Sequence, residues 1–265
     1  NTTASNNTAV GSRALIANTT GTQNIAIGAE AGKTQTTANN CTFIGVEAGR
    51  DNTESNNLAI GSGAMRLNTT GHRNVAIGTS VYGSTHGPLS ANTTGARNTA
   101  VGVQALLSNT TANNNTAIGA ETLQTNTTGA GNTAVGQSSL IANTTGTQNV
   151  GLGAYTLDAN TTGAQNNALG YNALGGNTTA GQNTAVGAYA LDAVNTGEYN
   201  TAMGRQSLSE NTSGSYNVGL GAYSLQLNTT GGHNTAVGGN AMFNNTSGDF
   251  NVAVGHEALR QNGSG

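Results

Sequence analysis

The chain has little of what usually builds globular cores and active sites. Only 7% of its 265 residues are charged, against about 25% in an average soluble domain, and it contains no Trp, one Pro and one Cys. The net charge of −3 provides no basic field, so nucleic acid is not expected as a partner. No apolar run is long enough to span a bilayer, so membrane insertion is not expected either. The single Cys41 excludes an internal disulfide framework, and we interpret it as a buried substitution.

Patterns for catalysis and metal binding are also missing. The four histidines share no spacing that would gather metal ligands. The eleven acidic residues are scattered along the chain. The many glycines belong to a repeat and do not form a phosphate-binding loop. We therefore predict that the protein is not an enzyme and has no catalytic residue, no metal site and no cofactor.

What the chain does have is one repeated phrase. Its clearest copy, residues 132–148, follows the pattern N-T-A-V-G-x-x-a-L-x-x-N-T-T-G-x-x, where a is a small residue; below, its positions are numbered 1 to 17. We count fifteen copies of the position-5 glycine, and from Gly102 onward every spacing is 17. Such self-similarity indicates stacked identical units. We predict an all-β fold: a parallel β-solenoid (β-roll) of fifteen coils, as one repeat array over residues 1–265.

Two apolar stretches in each repeat predict the strands and the core. The T-A-V-G stretch alternates with period two, which is typical of a strand, and the a-L stretch forms the second. Position 4 is always Val, Ile, Leu or Met, and position 9 is Leu or Met except at Gly32, Gly49 and Tyr82. We expect two strands per coil, with position 4 in the core and position 9 either at a contact with neighbouring chains or inside a single-chain coil. The N-T-T-G segment is predicted to turn, because Asn tolerates a left-handed conformation and Gly supplies positive φ.

Asparagines and register breaks add further expectations. Asn fills position 1 in fourteen copies and position 12 in most, so stacked amides are expected to hydrogen-bond along the axis. One residue is lost over 45–61, and seven are added in a predicted surface loop within 82–91. The loop is either a binding feature or a tolerated bulge. Both chain ends fall part-way through a repeat, so we expect a segment of a longer fibre.

Two sets of residues are candidates for a surface role. Tyr155, Tyr189 and Tyr223 occupy position 7, 34 residues apart, and such a row of rings could stack on sugars. Ordinary surface tyrosines left by duplication of a two-repeat unit are the alternative. Tyr82 and His86, in the insertion, complete the candidate ligand surface.

The second set consists of N-x-[ST] acceptors in the predicted surface turn. In a bacterial or phage protein the match would result from turn chemistry alone, whereas in a eukaryotic secreted fibre it would place a glycan on most coils. The candidate glycosylation sites are Asn18, Asn68, Asn92, Asn109, Asn126, Asn143, Asn160, Asn177, Asn211, Asn228 and Asn245.

The repeat resembles known fibre sequences. The stretch Asn74-Val-Ala-Ile-Gly78 resembles the S-V-A-I-G phrase in head domains of YadA-like trimeric autotransporter adhesins. The N-T-A-V-G-x-x-A-L form is similar to shaft repeats of some phage tail fibres. The resemblance covers nearly the whole chain through a short phrase, and the N-T-T-G turn is additional here. It implies a left-handed parallel β-roll, three chains together and an extracellular location.

A thin core also favours self-association. Burying one Leu or Val contributes roughly 1.5–3 kcal/mol, whereas ordering each backbone residue costs roughly 1–2 kcal/mol. We expect a homotrimer or fibre, with position 9 and its small neighbour as the face that meets other chains; a single-chain solenoid is the alternative.

The predicted function is an extracellular structural fibre or filament segment, at a cell or virion surface, with an adhesive or receptor-presenting role and surface glycans as candidate partners. The alternatives are an ice-binding solenoid, which would use its regular Thr rows, and a glycan-coated filament.

Overall fold

The fold is all-β, as the repeat predicts. The computed structural model describes residues 3–80, 86–194 and 196–263, and it comprises two compact units, Asn1–Asn132 and Thr133–Gly265. The first unit contains β1 (Thr8–Val10), β2 (Ile25–Ile27), β3 (Thr42–Ile44), β4 (Leu58–Ile60), β5 (Val75–Ile77), β6 (Thr99–Val101) and β7 (Thr116–Ile118). The second contains β8 (Thr133–Val135), β9 (Val150–Leu152), β10 (Asn167–Leu169), β11 (Thr184–Val186), β12 (Thr201–Met203), β13 (Val218–Leu220), β14 (Thr235–Val237) and β15 (Val252–Val254).

Within each unit the strands form a parallel stack. From β1 to β7 in the first unit, and from β8 to β15 in the second, successive strands pair with position 2 on position 2 and position 4 on position 4. The predicted parallel β-solenoid with coils of about 17 residues is therefore confirmed. In the described part of the chain there is no helix of the length and apolarity needed to cross a membrane.

Each coil has one strand, not the predicted two. After position 5 the chain makes three successive turns, as in the first coil, where the amides of Ala14, Ile16 and Asn18 donate to carbonyls three residues back at 3.3, 3.4 and 3.0 Å. Positions 7 and 9 have positive φ, for example 58° at Tyr155 and 51° at Leu157. This is the sign that the third residue of a type II turn requires. Because these residues are not extended, the a-L stretch cannot continue a strand.

The N-T-T-G segment also bends for a different reason than predicted. None of the position-12 asparagines is among the residues with positive φ; the left-handed residues are at positions 7, 9 and 17, together with the position-5 glycine. Position 5 requires glycine for two reasons, a positive φ and a close approach of the next coil. Gly136 has φ +124°, and a Cβ built on it would lie 2.5 Å from the carbonyl oxygen of Gly153 in the next coil. Each coil therefore passes closely over the next at this position.

The core is formed by positions 3 and 9, so the prediction for position 4 is wrong. In β10, Ala168 is 2% exposed, whereas Leu169 is 48% exposed. A three-residue strand turns its middle side chain one way and its outer two the other. Because position 3 faces inward, positions 2 and 4 face outward. Position 9 lies inside the coil: Leu174 has no exposed surface, and the exceptions among its equivalents are Leu15 at 8% and Leu259 at 49%, in the first and last coils.

The inserted residues lie earlier than the sequence suggested. The amide of Met65 donates to Pro88 O and that of Leu89 to Ala105 O, both at 3.0 Å, which places Leu89 at position 9. Leu89 is fully buried, so assigning position 9 of this coil to Tyr82 was wrong; Tyr82 itself lies outside the described residues. The seven extra residues are therefore 80–86.

The lost residue is position 14 of the third coil. Asn52 Nδ2 donates at 2.7 Å to the carbonyl of Glu54, two residues on. In the next coil Asn68 Nδ2 donates at 2.8 Å to Gly71, three residues on. The turn is therefore one residue shorter, while its closing hydrogen bond is kept.

Two deletions of equal length test this register. Removing residues 80–86 restores a 17-residue coil and keeps Leu89 at position 9, so we expect the melting temperature to stay the same or rise, because a long loop contributes little besides closure entropy. Removing residues 83–89 restores the same length but puts Tyr82 in place of the buried Leu89. We expect this variant to be less stable by about 1–3 kcal/mol, the usual cost of overpacking. Equal melting temperatures for the two variants would contradict the assignment.

Candidate functional site

The asparagines at position 12 form a ladder inside each unit. Asn160 Nδ2 donates to Asn143 Oδ1 in the preceding coil at 2.8 Å and to Gly163 O in its own turn at 3.1 Å. Asn177 repeats the pattern on Asn160 at 2.7 Å. The predicted axial hydrogen bonding of stacked asparagines is confirmed. One amide thereby closes its own turn and joins two coils.

The asparagines of the ladder include all the candidate glycosylation sites, and they are buried. The prediction that they lie at the surface is wrong, because all eleven are at most 3% exposed. Their Nδ2 atoms point into the coil, where a glycan would have to displace the ladder bonds. The residues concerned are Asn18, Asn68, Asn92, Asn109, Asn126, Asn143, Asn160, Asn177, Asn211, Asn228 and Asn245.

The asparagines at position 1 join the coils in a second way. Asn166 Oδ1 accepts the backbone amide of Asn183 at 3.0 Å, and Asn166 Nδ2 donates to Ala180 O at 2.8 Å. Cys41 takes this position once, fully buried, with Sγ 3.3 Å from Glu54 O. Burial raises the pKa of its thiol. The interpretation of Cys41 as a buried substitution is confirmed.

The asparagine ladder has a defect where Val194 replaces asparagine. Asn177 Oδ1, in the coil before, is buried and has no hydrogen-bond partner. On the other side, Asn211 Nδ2 donates to Gly214 O within its own turn. An asparagine at 194 would donate through its Nδ2 to Asn177 Oδ1 and accept from Asn211 Nδ2 through its Oδ1. The unpaired oxygen is therefore explained by one substitution.

Replacing Val194 by asparagine should repair this defect. We expect Val194→Asn to raise the free energy of unfolding by about 1 kcal/mol, because two hydrogen bonds and a satisfied buried acceptor outweigh the lost apolar burial. Val194→Ala is the control, since it removes the same side chain without supplying an amide, and it should destabilise. Urea denaturation checks both. A destabilising Val194→Asn would show that Asn177 Oδ1 is satisfied in another way.

The candidate tyrosines at position 7 do not form one uniform row. Tyr155 and Tyr189 both contact Tyr171, at position 6 of the coil between them, with ring centroids 5.8 and 5.4 Å apart and interplanar angles of 74° and 67°. Tyr223 instead lies beneath Arg205, whose Cζ is 5.6 Å from the ring centroid. His86 is exposed and belongs to the insertion. The structure thus brings two of the candidates together and adds Tyr171.

A second aromatic cluster escaped the sequence reasoning. Tyr199, Tyr216, His233 and Phe250 occupy position 17 of four consecutive coils. Their rings are stacked at centroid distances of 4.8, 4.9 and 4.7 Å, with interplanar angles of 3°, 6° and 7°. We call these four residues the aromatic ladder. The signal is present in the sequence as four ring-bearing residues spaced by 17.

The outward side chains of positions 2 and 4 form an apolar surface, here called the strand face. Leu152, Leu169 and Met203, at position 4, are 36%, 48% and 47% exposed. An apolar depression of about 190 Å³ lies on this face, lined by Val150, Leu152, Asn167, Ala168, Leu169, Ala185 and Val186. The position-4 aliphatics are therefore available to another molecule.

Two carboxylates occupy position 10 of coils that are separated by one intervening coil. Asp158 and Asp192 stand on either side of a coil that has Gly175 at this position, and both are half-buried. Burial raises the pKa of Asp158. Burial, followed by the charges of Asp158 and Glu210, raises the pKa of Asp192. Ionisation of this pair therefore opposes folding.

We expect Asp192→Asn to raise the melting temperature at pH 7 and to have no effect near pH 3. A carboxylate whose pKa is raised in the folded state binds its proton more tightly there. Its contribution to stability is complete below the ordinary value of about 3.9 and is lost as the pH rises through the folded-state pKa. Melting curves from pH 3 to 7 check this, with Glu198→Gln, at an exposed carboxylate, as the control. An equal rise in the melting temperature of Asp192→Asn at pH 3 and at pH 7 would contradict a raised pKa of Asp192 in the folded state.

The described residues hold no group of three or more His, Cys, Asp or Glu side chains that could bind a metal ion. Comparison with protein-family models, curated proteins and solved structures gave no significant match. The candidate sites are therefore the surfaces themselves: the strand face, the tyrosine cluster and the aromatic ladder.

Proposed function

We propose that the chain is a structural segment of an extracellular fibre or filament, at a cell or virion surface, which self-associates and presents an adhesive surface. The observation that carries the proposal is the strand face. Position 4 is apolar in every copy although its side chain points outward. Contacts between neighbouring coils bury only part of these aliphatic side chains, and large exposed apolar patches mark interaction sites.

The occupant that fits the strand face best is a second copy of the chain. The face is uncharged, since positions 2 and 4 contain no Asp, Glu, Lys or Arg, so it offers no charge pattern for a different partner. Aliphatic side chains from the strand face of a second copy could fill the depression around Leu152 and Leu169. Parallel in-register coils repeat this contact along the chain, as a homotrimer or fibre requires. Position 9, the face expected from the sequence, is buried within the coil and is not available.

The adhesive part of the proposal is supported by the tyrosine cluster. Tyr171 and Tyr189 are 48% and 37% exposed, and their edge-to-face arrangement with Tyr155 leaves ring faces at differing orientations. Aromatic faces suit the apolar faces of sugars, so surface glycans are the partner class that we propose. The extracellular location follows the resemblance of the N-V-A-I-G phrase to fibre and adhesin repeats.

Light scattering on matched double variants tests the self-association. We expect the wild-type chain to form an oligomer, and Leu152→Glu with Leu169→Glu to produce a folded monomer. Thr145→Glu with Thr162→Glu places the same two charges on the exposed position-14 row and should leave the oligomer intact. Circular dichroism confirms that each variant is folded. A wild-type chain that remains a folded monomer at high concentration would contradict the proposal.

An ice-binding solenoid is the second candidate, favoured by the exposed row of Thr and Ser at position 14. The neighbouring position-13 hydroxyls are occupied, as shown by Thr161 Oγ1, which donates to Thr178 O at 3.0 Å. Only one of the two rows is therefore free, and it lies on a bend. Thermal hysteresis at micromolar protein concentration would favour this candidate. The glycan-coated filament has less support, because its acceptor asparagines are buried.

A further inference from the structure

The aromatic ladder stabilises the stacking of its coils through ring contacts, but it also leaves ring surface exposed that neither folding nor self-association through the strand face uses. Tyr199, Tyr216 and Phe250 are 43%, 51% and 74% exposed, and His233 is exposed as well. Other coils place Gln, Asn, Arg or Gly at position 17, so the coil itself does not require a ring there. From this cluster we propose a binding site for an elongated, planar aromatic cation, a role independent of the proposed function.

The stacking geometry determines which ligand surface fits. With interplanar angles of 3° to 7°, the rings cover each other's faces and present their edges to solvent. Ring edges carry partial positive charge and prefer the face of another aromatic system. A planar aromatic molecule lying along the aromatic ladder would make this contact with every ring. A sugar, which prefers ring faces, fits the tyrosine cluster better.

The length of the aromatic ladder sets the length of the ligand. Parallel coils stack about 4.8 Å apart, so four rings extend over roughly 14 Å. A single aromatic ring would contact two coils at most. A ligand of two or three linked or fused rings would cover all four, and the in-register coils keep the contact flat.

The charges beside the aromatic ladder favour a cation. Glu198 and Asp249 directly precede Tyr199 and Phe250 at its two ends, and both are exposed. Positions 16 and 17 of these four coils contain no Lys or Arg. Each carboxylate attracts a unit charge at about 4 Å by roughly 1 kcal/mol in water. Because the ring edges are themselves partly positive, the positive charge of the ligand belongs at its end, beside Glu198 or Asp249, with an uncharged ring system over the aromatic ladder. The ligand class is therefore an extended aromatic molecule with a cationic end, and not an anion.

Thioflavin T, a planar aromatic cation of suitable length, is the probe for this site. We expect saturable binding to the wild-type chain, measured by fluorescence titration, and affinity at least tenfold weaker for Tyr216→Gln, which breaks the row of four rings. Gln is a residue that the repeat itself uses at position 17, for example Gln165 and Gln182, so this variant should keep the fold. Tyr223→Gln is the matched control, because position 7 also accepts Gln, and its affinity should stay within twofold of wild type.

The charge requirement has its own test. Glu198→Gln combined with Asp249→Asn should weaken thioflavin T binding about fivefold while keeping the acceptor of the Gly232 amide at residue 249. A sulfonated planar dye such as Congo red should bind the wild-type chain much more weakly than thioflavin T. Equal affinities of wild type and Tyr216→Gln, no saturable binding, or a preference for the anionic dye would each overturn the proposal. None of these results would change the oligomeric state, which tests the proposed function separately.

Discussion

Replacing Phe43 by alanine is expected to lower the free energy of unfolding by about 3–5 kcal/mol, the usual cost of deleting a buried ring. Phe43 occupies position 3 of β3, where the other coils have Ala or Gly, and it is fully buried. It lies against Gly32 and Gly49, the two glycines at position 9: a Cβ built on Gly32 would lie 2.8 Å from Phe43 Cδ2. The single ring therefore fills the space that two leucines fill elsewhere. Chemical denaturation measures the loss.

The same packing predicts a rescue. Phe43→Ala combined with Gly32→Leu and Gly49→Leu restores the common pattern of the repeat and should recover most of the lost stability. The two leucines would take up left-handed φ, which costs roughly 1–2 kcal/mol each, but burial returns roughly 1.5–3 kcal/mol per side chain. Gly49→Leu alone should be strongly destabilising because it meets the ring. A triple variant no more stable than Phe43→Ala would show that these positions are not coupled.

Phe43 also shows where sequence reasoning about the core stops. The 17-residue period was sufficient to predict a parallel β-solenoid, because only stacked coils place identical residues above one another. Period-two alternation in T-A-V shows that positions 2 and 4 share a side, but not which side faces inward. Hydrophobicity favoured position 4, whereas the narrow interior beside a position-9 Leu has room only for Ala. The one local hint of this arrangement is that the large Phe43 at position 3 coincides with glycine at position 9 of its own coil, Gly49, and of the preceding coil, Gly32.

The surfaces were predictable to different degrees. The asparagine rows follow from composition and period, and stacking explains them. The burial of Asn160 and its equivalents depends on the three turns that precede the N-T-T-G segment, and these turns require Leu157 and Tyr155 to adopt positive φ. Non-glycine residues rarely do so, so the second strand was a reasonable but wrong prediction. The aromatic ladder required only that position 17 be compared from coil to coil.

Leu174→Arg is expected to unfold the second unit locally or entirely, with a loss of at least about 4 kcal/mol. Removing a buried Leu costs about 2–5 kcal/mol, and an unpaired charge in the same place adds a desolvation penalty. Leu174 has no exposed surface, and its amide donates to Ala190 O at 3.0 Å, which fixes its coil on the next. The paired change Leu123→Arg and Leu157→Arg should unfold the chain for the same reason, and should not dissociate an assembly into soluble monomers.

The matched variant is Leu169→Arg, the same substitution at position 4 of the same coil. Its side chain is 48% exposed, so the charge stays in water and the melting temperature should change little. The effect should appear in light scattering instead, as a weaker oligomer. Val135→Asp belongs to the same class and should also leave circular dichroism at wild type. If Leu169→Arg unfolded the chain and Leu174→Arg did not, position 4 would face the core and position 9 would face solvent, which would contradict this arrangement of the coil.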